Sequence, residues 1–197
     1  MYQYLNKDTF TFHSNHKTNE IEQIDCNLEP FPLAYESLLV PYGSTSDYHI
    51  DVSCPDDFRD YLKSIHMFLS NSLSYVTEID KKHIYGMIST PHRYNQKDKR
   101  AVVRINFTEI CKYSGDVLSK QIKLVRNRFN IEPIVKIKIV LSKDLKNIDI
   151  ALDLVEAKTY VRQPLTMKRK LDDDFNPPNK KSNPESPTSS PNSENQN

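Results

Sequence analysis

"IEPIVKIKIVLS" (residues 131–142) and "NIDIALDLVEA" (147–157), joined by "KDLK" (143–146), decide the fold. In the first stretch Val135, Ile137, Ile139 and Leu141 fall on every second position, with Lys136 and Lys138 between them. In the second, Ile150, Leu152 and Leu154 alternate with Asp149 and Asp153. A period of two marks a strand buried on one face. Two such strands with a short connection make an antiparallel hairpin, apolar on one side and charged on the other. A symmetric connection sets Lys136 opposite Asp153. That cross-strand pair contributes about 0.2–1 kcal/mol and accounts for both charges without a ligand.

Upstream, "SDYHIDVS" (46–53) alternates Tyr48, Ile50 and Val52 with polar partners, another strand pattern. Pro55, Asp56 and Asp57 then carry the signature of a helix start, with proline at the entry and acids in the first turn. Phe58, Tyr61, Leu62, Ile65, Phe68, Leu69 and Leu73 follow at helical spacing. They predict a helix over about 55–76, with His66 a partly buried core histidine. "HIYGMIST" (83–90) and "RAVVRINF" (100–107) read as a strand pair around the polar loop "PHRYNQKDK" (91–99). After Thr108, a candidate cap, the pattern turns helical. Ser114, Gly115 and Asp116 interrupt it, and a longer helix is expected over 117–129 with Val117, Leu118, Ile122, Val125 and Phe129 on its apolar face.

The first 45 residues are expected to be an irregular segment packed on the core, with a short strand at "TFTF" (9–12) and a turn of helix at 34–39. Residues 163–197 read as a disordered tail, because "SNPESPTSSPNSENQN" and its surroundings hold too little apolar surface to offset the entropy of ordering. The order of elements over 46–162 predicts an α+β domain. Its sheet is mostly antiparallel, of four to six strands, with two main helices on one face.

Charge is laid out unevenly along the 197 residues. Residues 1–80 hold 4 basic and 13 acidic side chains, residues 81–171 hold 21 and 8, and residues 172–197 hold 2 and 5, although the whole chain is only +1. An asymmetry of this size points to a polyanionic partner or to pairing between the halves. Three glycines, at 43, 86 and 115, are too few and too scattered to line a phosphate-cradling loop. No apolar run approaches the roughly 18 residues of a membrane span. The opening MYQYLNKDTF lacks a signal-peptide pattern, so the chain is expected to be made and kept inside the cell. Cys26, Cys54 and Cys111 form no zinc or disulfide pattern. His13, His16 and Cys26 would need an invented fourth ligand to hold a metal. Neither a metal nor a cofactor is expected, and no nucleophile–base motif such as GxSxG is present. Asp56 and Asp57 are accounted for by helix capping.

The cationic clusters are the positive signal. Arg93, Lys97, Lys99 and Arg100 crowd around Tyr94 in the 91–99 loop and its exit, where cations can meet phosphates and a ring can stack on a base. Lys120, Lys123, Arg126 and Arg128 sit on or beside the polar side of the expected second helix with few acids among them. In the tail, Lys168, Arg169 and Lys170, then ten residues, then Lys180 and Lys181 resemble a bipartite nuclear localisation signal, which implies importin as a partner. Ser186 and Ser190, each before a proline, are phosphorylation candidates whose phosphates would add about −1.5 to −2 charge near that cluster.

These features predict a non-enzymatic, nuclear, nucleic-acid-binding protein, DNA or RNA, that grips phosphates without reading sequence. The Asn-, Lys-, Ile-, Tyr- and Asp-rich composition is the style of a virus-encoded chain. The alternative expectation is a matrix-like assembly protein that self-associates through its acidic and basic halves and bridges nucleoprotein to partners.

Overall fold

The computed structural model describes residues 2–18, 20–44, 46–96, 99–115, 128–142 and 147–160. The described residues belong to one compact unit, Met1–Pro164. The expected tail, most of the helix expected over 117–129 and the 143–146 connection lie outside the described residues.

The described residues up to 44 hold four short strands where irregular chain with one short strand at 9–12 was expected; the first falls on that stretch and the other three are additional. β1 (Phe10–Ser14) and β2 (Ile21–Cys26) pair antiparallel as a separate two-stranded sheet. Phe10, Ile21 and Ile24 on this hairpin are buried, which fastens it to the main core. β3 (Phe31–Pro32) and β4 (Leu38–Val40) follow. The helical turn expected at 34–39 is absent, and β4 occupies its end. Pro30 and Pro32 break up any local hydrogen-bond ladder there, so short extended pieces win.

β5 (His49–Ser53) leads into α1 (Asp56–Thr77), within a residue of the expected limits. Pro55 is the extended N-cap, and Asp56 and Asp57 fill the first turn. Phe58, Leu62, Ile65, His66, Leu69, Ser70 and Leu73 form the buried face, as the spacing predicts. His66 is 9% exposed, its Nε2 lies 3.1 Å from the Tyr85 carbonyl, and its ring stacks on Tyr85 with centroids 4.0 Å apart. Glu78 ends the helix in the left-handed region, φ 59°, with its N–H bonded to the Ser74 carbonyl.

The 83–90 strand expectation is wrong. α2 (Lys81–Met87) occupies most of it, and only β6 (Ile88–Ser89) is extended. The Asp80 carboxylate accepts from the N–H groups of Lys82 and His83, and that cap overrides the strand-like composition of the segment. The true partner of β8 (Arg100–Asn106) is β7 (His92–Asn95), which was expected to be loop. β9 (Lys112–Gly115) is a strand where a short helix was expected.

β10 (Phe129–Leu141) and β11 (Ile148–Tyr160) are the long hairpin that the alternation predicts. Lys136 does stand opposite Asp153. Val135, Ile137 and Ile139 on one strand, and Ile150, Leu152 and Leu154 on the other, are all buried. The register shifts between Ile134 and Val135, so β11 carries one extra residue at Val155. Its buried positions accordingly move from 150, 152 and 154 to Ala157 and Thr159.

Among the described residues the main sheet has nine strands, ordered β3-β10-β11-β8-β5, with β4 also on β10, β7 on β8, and β6 and β9 on β11. Most pairs are antiparallel, while β6, β8 and β9 run parallel to β11. The sheet curls until β4 comes alongside β5. Its inner face and α1 enclose Phe58, Leu62, Ile65, Leu69, Val103, Ile105, Leu152 and Leu154. Burying each such side chain contributes about 1.5–3 kcal/mol. The α+β class holds, with more and shorter strands than the sequence predicts.

Candidate nucleic-acid interface

The outer face of the sheet follows from register. β8 puts Ile105 and Val103 inside, so Asn106, Arg104, Val102 and Arg100 point outward. Their cross-strand partners share that face: His49, Asp51 and Ser53 on β5, and Arg93 and Asn95 on β7. On β11 the outward set is Asp149, Ala151 and Asp153; on β10 it is Lys136, Lys138 and Val140.

β11 changes neighbour along this face. It pairs with β6 at Ile148 and Asp149, with β8 only at Asp153, and with β9 from Glu156 to Thr159. Over Ile150–Leu152 no strand among the described residues lies on that edge. The gap between β7–β8 and β11 opens as a groove of about 340 Å³. Arg93, Arg104 and Asn106 line one side, Asp149 and Ala151 the other, with Ser89 at one end.

Its charges differ in kind. Arg104 is held by Asp51 through two bonds, Nε to Oδ1 at 2.9 Å and Nη2 to Oδ2 at 3.2 Å. Asn106 donates to Asp153 at 3.3 Å, and Ser89 donates to Asp149. Arg93 is exposed, and its side chain makes no ion pair or hydrogen bond with another described residue. Val102 is buried at 3% on this outer face yet lies outside the main core cluster, between two arginines in the register. Burial pushes the His49 imidazole pKa down, and Arg104 and Arg93 push it the same way against Asp51.

Arg93 and Arg100 share the outer face, Lys99 is exposed in the turn with φ 50°, and Lys97 lies outside the described residues. Tyr94 is 58% exposed but pairs with Ala101 on the opposite face, the side of His92. The structure therefore does not aim its ring with Arg93 and Arg100. The Nε2 of His92 is buried without a partner, and burial followed by Arg59 and Lys63 pushes its pKa down. Arg59 and Lys63 are bound locally to Asp56 and Asp60, at 2.9 and 2.8 Å.

Arg128 is exposed but its Nε donates to the Pro41 carbonyl at 3.1 Å, an anchoring bond. Lys120, Lys123, Arg126 and the tail residues Lys168, Arg169, Lys170, Lys180, Lys181, Ser186 and Ser190 lie outside the described residues. Arg104 is the residue that sequence reasoning passed over. Period two from Arg100 would have placed it on one face with Arg100 and Asn106. Among the described residues no group of three or more His, Cys, Asp or Glu could hold a metal, and no helix is long and apolar enough to cross a membrane. The three cysteines are free thiols.

No family model matches this chain, and no curated protein matches it. Among solved structures, the chain is similar to gp2.5, a single-stranded DNA binding protein encoded by bacteriophage T7, with 10% identity and a TM-score of 0.43 over 79% of this chain and 99% of that one. It is also similar to the single-stranded DNA-binding protein from bacteriophage Enc34, with 10% identity and a TM-score of 0.38 over 81% of this chain and 94% of that one. The same Enc34 protein in complex with single-stranded DNA gives 10% identity and a TM-score of 0.36, over 80% and 98%.

Proposed function

We propose that this chain is a non-enzymatic, virus-encoded protein that binds single-stranded nucleic acid along the groove between β7–β8 and β11. The observation that carries the reading is Arg93, exposed and in no ion pair with another described residue, in a groove that also holds Arg104, with Arg100 farther along the same outer face of β8 and Lys99 exposed in the turn before it. Unpaired exposed cations repay little within the fold and are free to neutralise phosphates. A groove of about 340 Å³ on a sheet face suits one strand and not a duplex. No side-chain set for reading base edges is in view, so contacts are to the backbone and to base faces.

The tail residues Lys168, Arg169, Lys170, Lys180 and Lys181 would serve import through importin, and phosphate on Ser186 or Ser190 would oppose it. The test is anisotropy with labelled single- and double-stranded oligonucleotides over a salt series, using the full chain. Single strands binding more tightly, with a log–log salt slope worth several phosphates, is the expected result. Equal or no binding at low salt overturns the reading. Import is tested separately, by nuclear accumulation of a fluorescent fusion and its loss in the K168A/R169A/K170A variant.

A further inference from the structure

Thr90 and Pro91 form the connection between β6 and β7, and both line the groove with Arg93 and Arg104. The Arg104 N–H donates to the Pro91 carbonyl at 3.0 Å and ties this connection to β8. Thr90 is half-buried. Its hydroxyl is bonded to no described residue, yet it is not among the buried polar atoms that lack a partner, so it stands in water at the groove wall. Ser89 beside it differs, because its hydroxyl is already donated to Asp149.

The chain here reads Thr90-Pro91-His92-Arg93. Three hydroxyl-bearing residues precede a proline, Thr90, Ser186 and Ser190, and only Thr90 has a basic residue three positions on. Each part of that pattern serves a protein kinase. Proline brings no N–H that the kinase cleft would have to satisfy, and it holds the residue before it extended, the form in which a substrate segment is threaded. A cation three positions on meets an acidic patch of the enzyme by charge complementarity. Among the described residues β7 pairs only with β8, so the segment runs along an open edge that a second protein can reach.

We propose that Thr90 is a phosphorylation site for a proline-directed protein kinase, and that its phosphate closes the groove to nucleic acid; this rests on the groove reading above. The γ-phosphoryl group of ATP passes to Thr90 Oγ1. A P–O bond forms there, the bond to the ADP oxygen breaks, and the hydroxyl proton goes to the kinase's base. The product adds about −1.5 to −2 charge and three strong acceptor oxygens. Arg93 is the receiver, because its side chain has no ion pair among the described residues while Arg104 is shared with Asp51. The phosphate on Thr90 takes the cation that a nucleic-acid phosphate would take, and its second charge repels the incoming strand. Ser186 and Ser190 differ in kind, since their phosphates would act on the tail.

The test uses the full chain with Ser186→Ala and Ser190→Ala, so that Thr90 is the one proline-directed position left. It is treated with ATP and a purified proline-directed kinase, the modified residue is mapped by peptide mass spectrometry, and single-strand binding is titrated over a salt series before treatment, after it, and after phosphatase. Phosphate on Thr90 is expected, with a log–log salt slope flatter by about 0.7–1.4, the worth of one to two phosphate contacts, and recovery on dephosphorylation. The melt should not fall, because the phosphate gains Arg93, and treatment should leave the slope of a Thr90→Ala chain where it was. An unmodified Thr90, an unchanged slope on the modified chain, or a slope that flattens only as the melt collapses overturns the proposal. An untreated chain that binds no single strand brings down the groove reading and this proposal together; an untreated chain that binds, with binding indifferent to phosphate on Thr90, brings down this proposal alone.

Discussion

Asp51 takes both ends of the Arg104 guanidinium, and Arg104 lies at the wall of the groove. Replacing it with asparagine keeps the side chain's shape and removes its charge, so stability and binding should move in opposite directions. Hydrogen bonds to charged groups contribute about 1.5–3 kcal/mol. The two side chains are 27% and 17% exposed, so solvent screens part of this, and about 1–2 kcal/mol is the expected loss. For a folded unit of this size that lowers Tm by about 2–8 °C. Binding gains, because Arg104 is released toward phosphate and one negative charge leaves the sheet face beside the groove. One added phosphate contact steepens the log–log salt slope on single strands by about 0.7, or roughly 2.6-fold more affinity lost for each fourfold rise in salt. A thermal melt and an anisotropy titration at several salt concentrations read both effects. If Asp51→Asn melts lower but binds with an unchanged slope, Arg104 does not lie on the phosphate path, and the groove is the wrong site.

Reversing Arg93, Lys99 and Arg100 to glutamate together should flatten the salt slope by about 2, near 0.7 for each contact, and leave the melt within error because none has an ion-pair partner among the described residues. Stability should fall with acid. His49 and His92 have pKa values pushed below the ordinary value of about 6.5, so on lowering pH from neutrality through that value the unfolded chain takes up protons that the folded chain refuses. Urea midpoints at descending pH measure this loss, and His92→Gln should remove part of it. Gly115→Ala should cost about 1–3 kcal/mol in a urea melt, since Gly115 has φ +104° and an added Cβ would sit 2.4 Å from the Thr159 carbonyl oxygen. Asp80→Ala should cost about 1 kcal/mol by uncapping α2.

Two parts of the fold were legible in the chain because their signals are long and local. α1 repeats its apolar positions over six turns, and the β10–β11 hairpin alternates over two strands of 13 residues, so even the Lys136–Asp153 register follows from symmetry. The cationic character of 91–100 was equally plain, because charge is read from composition. Where the signal was short, tertiary structure decided. α2 has seven residues with Gly86 inside, and the Asp80 cap, the packing of Ile84 and the His66 contacts to Tyr85 hold it helical. β7 is polar on both faces, and its turn reaches the left-handed region at Lys99 without the glycine that announces a hairpin. The aim of Tyr94 away from Arg93 depends on strand pleat, which no charge count contains. The groove is a property of strands that part. It arises from contacts between residues far apart in the chain, so the sequence determined which charges exist and the tertiary structure determined which of them stand together.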